Sequence, residues 1–169
     1  VGEPHSAKMG IPGEELAVSF MEYLKEPEKY SATGNVAVLG GGAVATDCAV
    51  TAKTNGAQNV EMFVRRRVCD MRLTAVERSW LMDNQIDITS MTRVEKIEKT
   101  GDTYTLYTCK TRFNGTKLED IPETTVKRPD FTHVIMAVGS KADPKTEAAK
   151  VVYAGDCNHG GSTIVEAVA

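Results

Sequence analysis

Gly40, Gly42 and Ala45 stand at the spacing Gly-x-Gly-x-x-Ala, directly behind the apolar run Val36-Ala37-Val38-Leu39 and ahead of the small residues Ala43-Val44-Ala45-Thr46. A buried strand that turns on glycine into a helix points backbone N–H groups at whatever lies beyond the turn, and a phosphate suits such donors at a positive helix end. In this arrangement Gly40 permits the tight turn, Gly42 lets the backbone approach a pyrophosphate, and Ala45 stands where helix and strand pack closely. Gly40, Gly41, Gly42, Ala43 and Val44 are the expected loop contacts. The same three glycines also suit a flexible turn, and the spacing alone does not choose between the two. Context favours the phosphate site: Val36 to Leu39 has the apolar character of a central parallel strand, and Ala43 to Asn55 reads as a helix ended by Asn55-Gly56.

The end of the next strand determines the dinucleotide, because an NAD site usually places an Asp or Glu there for the ribose 2′-hydroxyl. Here Asn59-Val60-Glu61-Met62-Phe63-Val64 runs into Arg65-Arg66-Arg67, positive charge at the point where a 2′-phosphate would lie. Two charge-assisted hydrogen bonds of about 1.5 kcal/mol each would favour NADPH over NADH by roughly two orders of magnitude. A solvated basic cluster is the alternative reading of the same residues. Glu61 does not restore an NAD site, since it falls inside the strand.

The elements that must position these groups follow the same logic. With 169 residues, 41% of them hydrophobic, the chain can bury a core without disulfides or a structural metal. The net charge of −3 and the lack of a basic face beyond the arginines argue against a nucleic-acid partner. No apolar run reaches membrane-spanning length, and Val1-Gly2-Glu3-Pro4-His5 is no signal peptide. Cys48, Cys69, Cys109 and Cys157 lack Cys-x-x-Cys spacing, which favours reduced thiols in a cytoplasmic setting over zinc or a redox dithiol.

Ile11 to Leu16 reads as a turn into a helix, Ala17 to Leu24 as a covering helix, and Lys25 to Ser31 as a polar approach to the first core strand. Thr74 to Asn84 reads as an amphipathic helix with Leu73, Val76, Trp80 and Leu81 inward, and Ile86-Asp87-Ile88 as a third parallel strand. From Thr92 to Thr125 the pattern alternates, with turns at Thr100-Gly101-Asp102 and Asn114-Gly115, as in an antiparallel hairpin or small meander with one wet face. His133 to Gly139 forms a last buried strand ending in a glycine where backbone could lie against a cofactor. The expected fold is therefore α/β, a Rossmann-like parallel sheet with helices and an inserted antiparallel β-meander, of the FAD/NAD(P)-binding superfamily.

Within that superfamily the chain resembles the flavoprotein (small, or beta) subunit of glutamate synthase and its relatives in dihydropyrimidine dehydrogenase and ferredoxin-linked NADPH oxidoreductases. The resemblance is carried by Lys8 to Leu16, Gly40 to Ala49, Val64-Arg65-Arg66-Arg67 with Met71, Ala137-Val138-Gly139, and Tyr153 to Ala169, and so covers nearly the whole chain. It implies that Arg65 and Arg66 clamp the 2′-phosphate of NADPH and that Gly139 borders the nicotinamide-side path. It further implies that Asp156 contacts the ribityl-diphosphate region of FAD in the intact parent protein. The implied activity is hydride transfer from NADPH to FAD and onward to iron–sulfur clusters or a partner subunit. No catalytic side chain and no metal are required, because the chemistry belongs to the cofactors.

Two departures shape the expected organisation. The family begins with its own Gly-x-Gly-x-x-Gly unit for FAD, which this chain lacks, and the passage from Ser140 to Tyr153 is shorter than the family's connection. The expectation is an excised piece, inactive by itself: residues 1–34 as a lead-in from the FAD domain, 35–140 as the NADPH-binding domain and 141–169 as a partial return. A free-standing NADP(H)-binding module without turnover is the alternative. His159 reads as a polar loop residue beside the flavin position, Asp47 as an acid near a helix start, and Arg72, where the family often has proline, has no assigned role.

Overall fold

A computed structural model describes residues 5–141. Lys8–Val138 forms one compact unit; the pair β1 (His5–Ser6) and β10 (Ser140–Lys141), which run antiparallel to each other, belongs to a second.

The larger unit is built on a five-stranded parallel sheet. Its strands are β2 (Val18–Ser19), β3 (Gly34–Leu39), β4 (Ala57–Val64), β5 (Asp87–Ser90) and β9 (His133–Met136), in the spatial order β2-β9-β3-β4-β5. The helices are α1 (Phe20–Lys25), α2 (Ala43–Thr54) and α3 (Ala75–Asp83). Between β5 and β9 the chain makes the antiparallel sheet β6 (Thr92–Thr100), β7 (Thr103–Asn114) and β8 (Lys117–Phe131). Its two hairpins turn at Gly101 and Gly115, each with φ 62°.

Alternation along each parallel strand explains how one sheet serves two layers. Val36 and Val38, Val60, Met62 and Val64, and Ile135 and Ala137 pack with the helix residues Ala45, Cys48, Ala49, Ala52 and Leu81. Ala37, Leu39, Phe63 and Val134 face the other way and pack with Val94, Ile97, Leu106 and Phe131 of the antiparallel sheet. Both faces are therefore largely apolar, and β3 and β9 carry the continuous runs 36–39 and 134–136. Glu61 shares the second face, where it takes two hydrogen bonds from Arg128 at 2.8 and 3.0 Å and one from the Thr89 hydroxyl. Edge strand β8 carries Pro122 and Pro129, which an interior strand would not tolerate.

The lead-in differs from the expected helix over Ala17 to Leu24. Val18–Ser19 instead extends the sheet beside β9, and Ser19 then caps α1 by accepting the Glu22 N–H at 3.3 Å. The free sheet edge at β9 outcompetes two further helical residues. Helix α3 starts at a capping box, Thr74 with Glu77. Its outward face corrects the amphipathic assignment: Leu81 is buried, but Val76 is 58% exposed and Trp80 44% exposed. No element of the unit covers that face, so apolar spacing alone misjudged it. Asp47, Val50, Thr51 and Trp80 line an open groove of about 330 Å³ that includes none of the glycine-loop or arginine residues.

Tyr23 is fully buried, and among the described residues its hydroxyl has no hydrogen-bond partner. Burial, with a smaller contribution from Cys48, pushes its pKa up to about 12. Tyr23→Phe removes a polar group that gains nothing in the fold, and the variant is expected to be more stable by about 1 kcal/mol. Urea denaturation checks this, and a lower midpoint for the Phe variant would show that the hydroxyl has a partner in solution. Among the described residues, no helix is long and apolar enough to cross a membrane.

Candidate functional site

The order of the parallel strands places a crevice at one point. From β3 the chain steps outward through β4 and β5, and then β9 inserts on the opposite side of β3. In open α/β sheets the carboxyl ends of the strands at such a reversal form the ligand crevice. Gly40 follows β3 there: its N–H donates to the Phe63 carbonyl at 3.1 Å, and the Ala137 N–H after β9 donates to the Leu39 carbonyl at 2.8 Å.

The three glycines meet different surroundings. Gly40 has φ 143°, and a Cβ there would overlap the Ala137 carbonyl oxygen and lie 3.2 Å from the Ala45 Cβ. A Cβ on Gly41 would meet the Val64 side chain at 2.7 Å, whereas one on Gly42 would meet nothing within 4 Å. Gly40 and Gly41 are thus required by packing, and Gly42 opens outward. Gly42 is also the N-cap of α2, and among the described residues no side chain caps the helix start. The N–H groups of the first turn, those of Ala43 and Val44 among them, have no intrahelical acceptor and suit a pyrophosphate.

Beyond β4, Arg65, Arg66 and Arg67 are all exposed, but they are held differently. The Arg65 carbonyl accepts the Thr111 hydroxyl at 2.7 Å, and the Arg66 carbonyl accepts the Met91 N–H at 3.1 Å. These bonds moor the backbone to β7 and to the turn between β5 and β6, and both side chains stay exposed to solvent. Arg67 donates through Nε and Nη2 to the two carboxylate oxygens of Asp70, both at 2.8 Å, with its guanidinium 5.0 Å from the Phe113 ring centroid. Among the described residues, neither Arg65 nor Arg66 forms an ion pair within 4.0 Å. The hydrogen bond from Arg67 holds the Asp70 carboxyl below the usual carboxylate range.

Other candidates fall elsewhere. Gly139, with φ 115°, lies in the second unit, where its carbonyl accepts the Ala7 N–H at 2.9 Å. Asp156, Cys157 and His159 lie outside the described residues. Asp47 is exposed on α2; partial burial, followed by the nearby Glu77, raises its pKa, the opposite of what a helix start would do. Cys48 and Cys109 are buried and Cys69 exposed, all free thiols, and burial pushes Cys48 up to about 12. Among the described residues no three His, Cys, Asp or Glu side chains gather as a metal site.

Sequence reasoning missed the moorings of the arginine loop. The Arg67-x-x-Asp70 spacing was a legible signal for an ion pair. The supports from Thr111 and Phe113, more than forty residues away, carried none.

Residues 2–168 match the pyridine nucleotide-disulphide oxidoreductase family. Similar solved structures include FprA of Mycobacterium tuberculosis in complex with NADPH, 15% identical over 85% of this chain and 50% of that one, TM-score 0.69. A 2-naphthoyl-CoA reductase is 19% identical over 99% of this chain and 24% of that one, TM-score 0.67. RclA of Escherichia coli, a flavoprotein disulfide reductase, is 14% identical over 97% of this chain and 40% of that one, TM-score 0.67. At these identities the likeness is one of fold, and the chain spans half or less of each of these structures. No curated protein matches the chain by sequence.

Proposed function

The chain belongs to the pyridine nucleotide-disulphide oxidoreductase family, and from that premise we propose that it is the NADPH-binding part of a flavin-dependent oxidoreductase, similar to the small subunit of glutamate synthase. The family is named for the pyridine nucleotide, and FprA, of similar fold, binds NADPH. In this reading NADPH supplies a hydride to FAD, and the electrons pass to iron–sulfur clusters or a partner subunit.

The residues present fit NADPH. The uncapped start of α2 and the open side of Gly42 receive the pyrophosphate, with Gly40, Gly41, Ala43 and Val44 shaping the loop. The observation that carries the choice of cofactor is the arginine loop: Arg67 is committed to Asp70, while Arg65 and Arg66 stand exposed at the carboxyl end of β4. The one acidic residue of β4 is committed as well, since Glu61 pairs with Arg128 at 2.8 Å and leaves no carboxylate for a ribose 2′-hydroxyl. These side chains bind and orient; none has to move a proton. Gly139 as a border of the nicotinamide path and Asp156 as a flavin contact belong to the same proposal. The chain carries no Cys-x-x-Cys pair, which favours an onward electron carrier over a disulfide substrate.

The test is a pair of titrations of the chain, one with NADPH and one with NADH, followed by fluorescence or calorimetry. NADPH is expected to bind roughly a hundredfold more tightly. Equal affinities would overturn the assignment of cofactor.

A further inference from the structure

We propose that Asp70 sets the strength of the 2′-phosphate clamp, withholding Arg67 from it and damping the positive potential that Arg65 and Arg66 present. The inference rests on the NADPH reading above. Segment 65–70 contains three arginines and one aspartate, a net charge of +2. The third arginine is fixed from two sides, by the paired 2.8 Å bonds to Asp70 and by the Phe113 ring 5.0 Å away. The paired bonds occupy one edge of the guanidinium and offset its charge there, so Arg67 offers a second anion only its remaining N–H groups and a reduced attraction.

The effect extends past Arg67. The charge of Arg66 adds to that of Arg67 in favouring the ionised form of Asp70. Such an interaction is reciprocal: the anion that gains from Arg66 also reduces the attraction Arg66 can offer a phosphate. The course of the loop does not depend on the carboxylate, because the Arg65 and Arg66 carbonyls are bonded to Thr111 and Met91. Removing the charge therefore leaves the loop in place and strengthens the clamp. Had Asp70 been the loop's principal support, its loss would weaken binding instead.

Asp70→Asn keeps the shape and removes the charge. Dissociation constants for NADPH and NADH are measured at low and high salt on the parent chain, on Asp70→Asn, on the charge-retaining Asp70→Glu, and on Arg65→Ala/Arg66→Ala. For Asp70→Asn, NADPH affinity is expected to rise about threefold or more at low ionic strength, with the gain fading as salt screens it. NADH affinity is expected to stay constant, and Asp70→Glu to resemble the parent. Asp70→Ser serves the same purpose if the Asn variant does not fold. Weaker NADPH binding, or an equal gain for NADH, would overturn the inference. A parent that prefers NADPH through its arginines but ignores the loss of Asp70 sinks only this inference. A parent without any preference sinks the NADPH reading itself.

Discussion

Replacing Arg65 and Arg66 together by alanine is expected to raise the dissociation constant for NADPH roughly a hundredfold while leaving that for NADH within about threefold. The size follows from two charge-assisted hydrogen bonds to a 2′-phosphate, each about 1.5 kcal/mol net. The selectivity follows from geometry. Both side chains lie beyond the carboxyl end of β4, whereas the groups placed to meet the pyrophosphate, which the two cofactors share, lie at the start of α2. The variant should also lose most of the salt dependence of NADPH binding. Its fold should be unaffected, because the hydrogen bonds that moor the loop use the backbone carbonyls of Arg65 and Arg66. Circular dichroism and thermal unfolding check that point. An NADPH affinity that survives the double substitution would mean the arginines are a solvated cluster and the phosphate is held elsewhere.

The parts of the fold that were legible in the sequence share a local cause. Gly40 to Ala45 could be read because turn and helix are contiguous, and the hairpin turns at Gly101 and Gly115 because a positive φ selects glycine. Strands β3 and β9 were legible because the sheet is covered on both faces, so the runs 36–39 and 134–136 are unbroken, whereas the two-residue β2 read as helix. The outward placement of Trp80 was not legible. Helical spacing marks a face as apolar without saying whether anything covers it, and here α3 packs beside α2, buries Leu81 in the core and presents Val76 and Trp80 to solvent. The split roles of the three arginines were hidden for a related reason. Consecutive identical residues look equivalent until Asp70 and Phe113 are brought to one of them, and Phe113 arrives on a strand of the other sheet.

Gly40→Ala and Gly42→Ser should separate what the glycine loop does for the fold from what it does for the ligand. At Gly40 an alanine would have to adopt φ 143° with its methyl overlapping the Ala137 carbonyl oxygen, at the junction where β3 and β9 end. Neither strain can be relieved by a side-chain rotation, so a loss of about 3–5 kcal/mol is expected, seen as a fall in the thermal midpoint of about 10 °C or more. At Gly42 the backbone has φ −103° and ψ −178°, the extended geometry of an ordinary N-cap, and the space around a Cβ is empty. A serine there would cap α2 with its own hydroxyl, and stability should rise by a few tenths of a kcal/mol. The same hydroxyl would take a first-turn N–H and stand where a pyrophosphate must approach. NADPH and NADH should then both weaken, each by about tenfold, since the lost contact is common to them. This pattern is distinct from that of the arginine pair, which discriminates between the cofactors. A Gly42→Ser chain that is stable and still binds both dinucleotides as the parent does would show that the open side of Gly42 does not face the ligand.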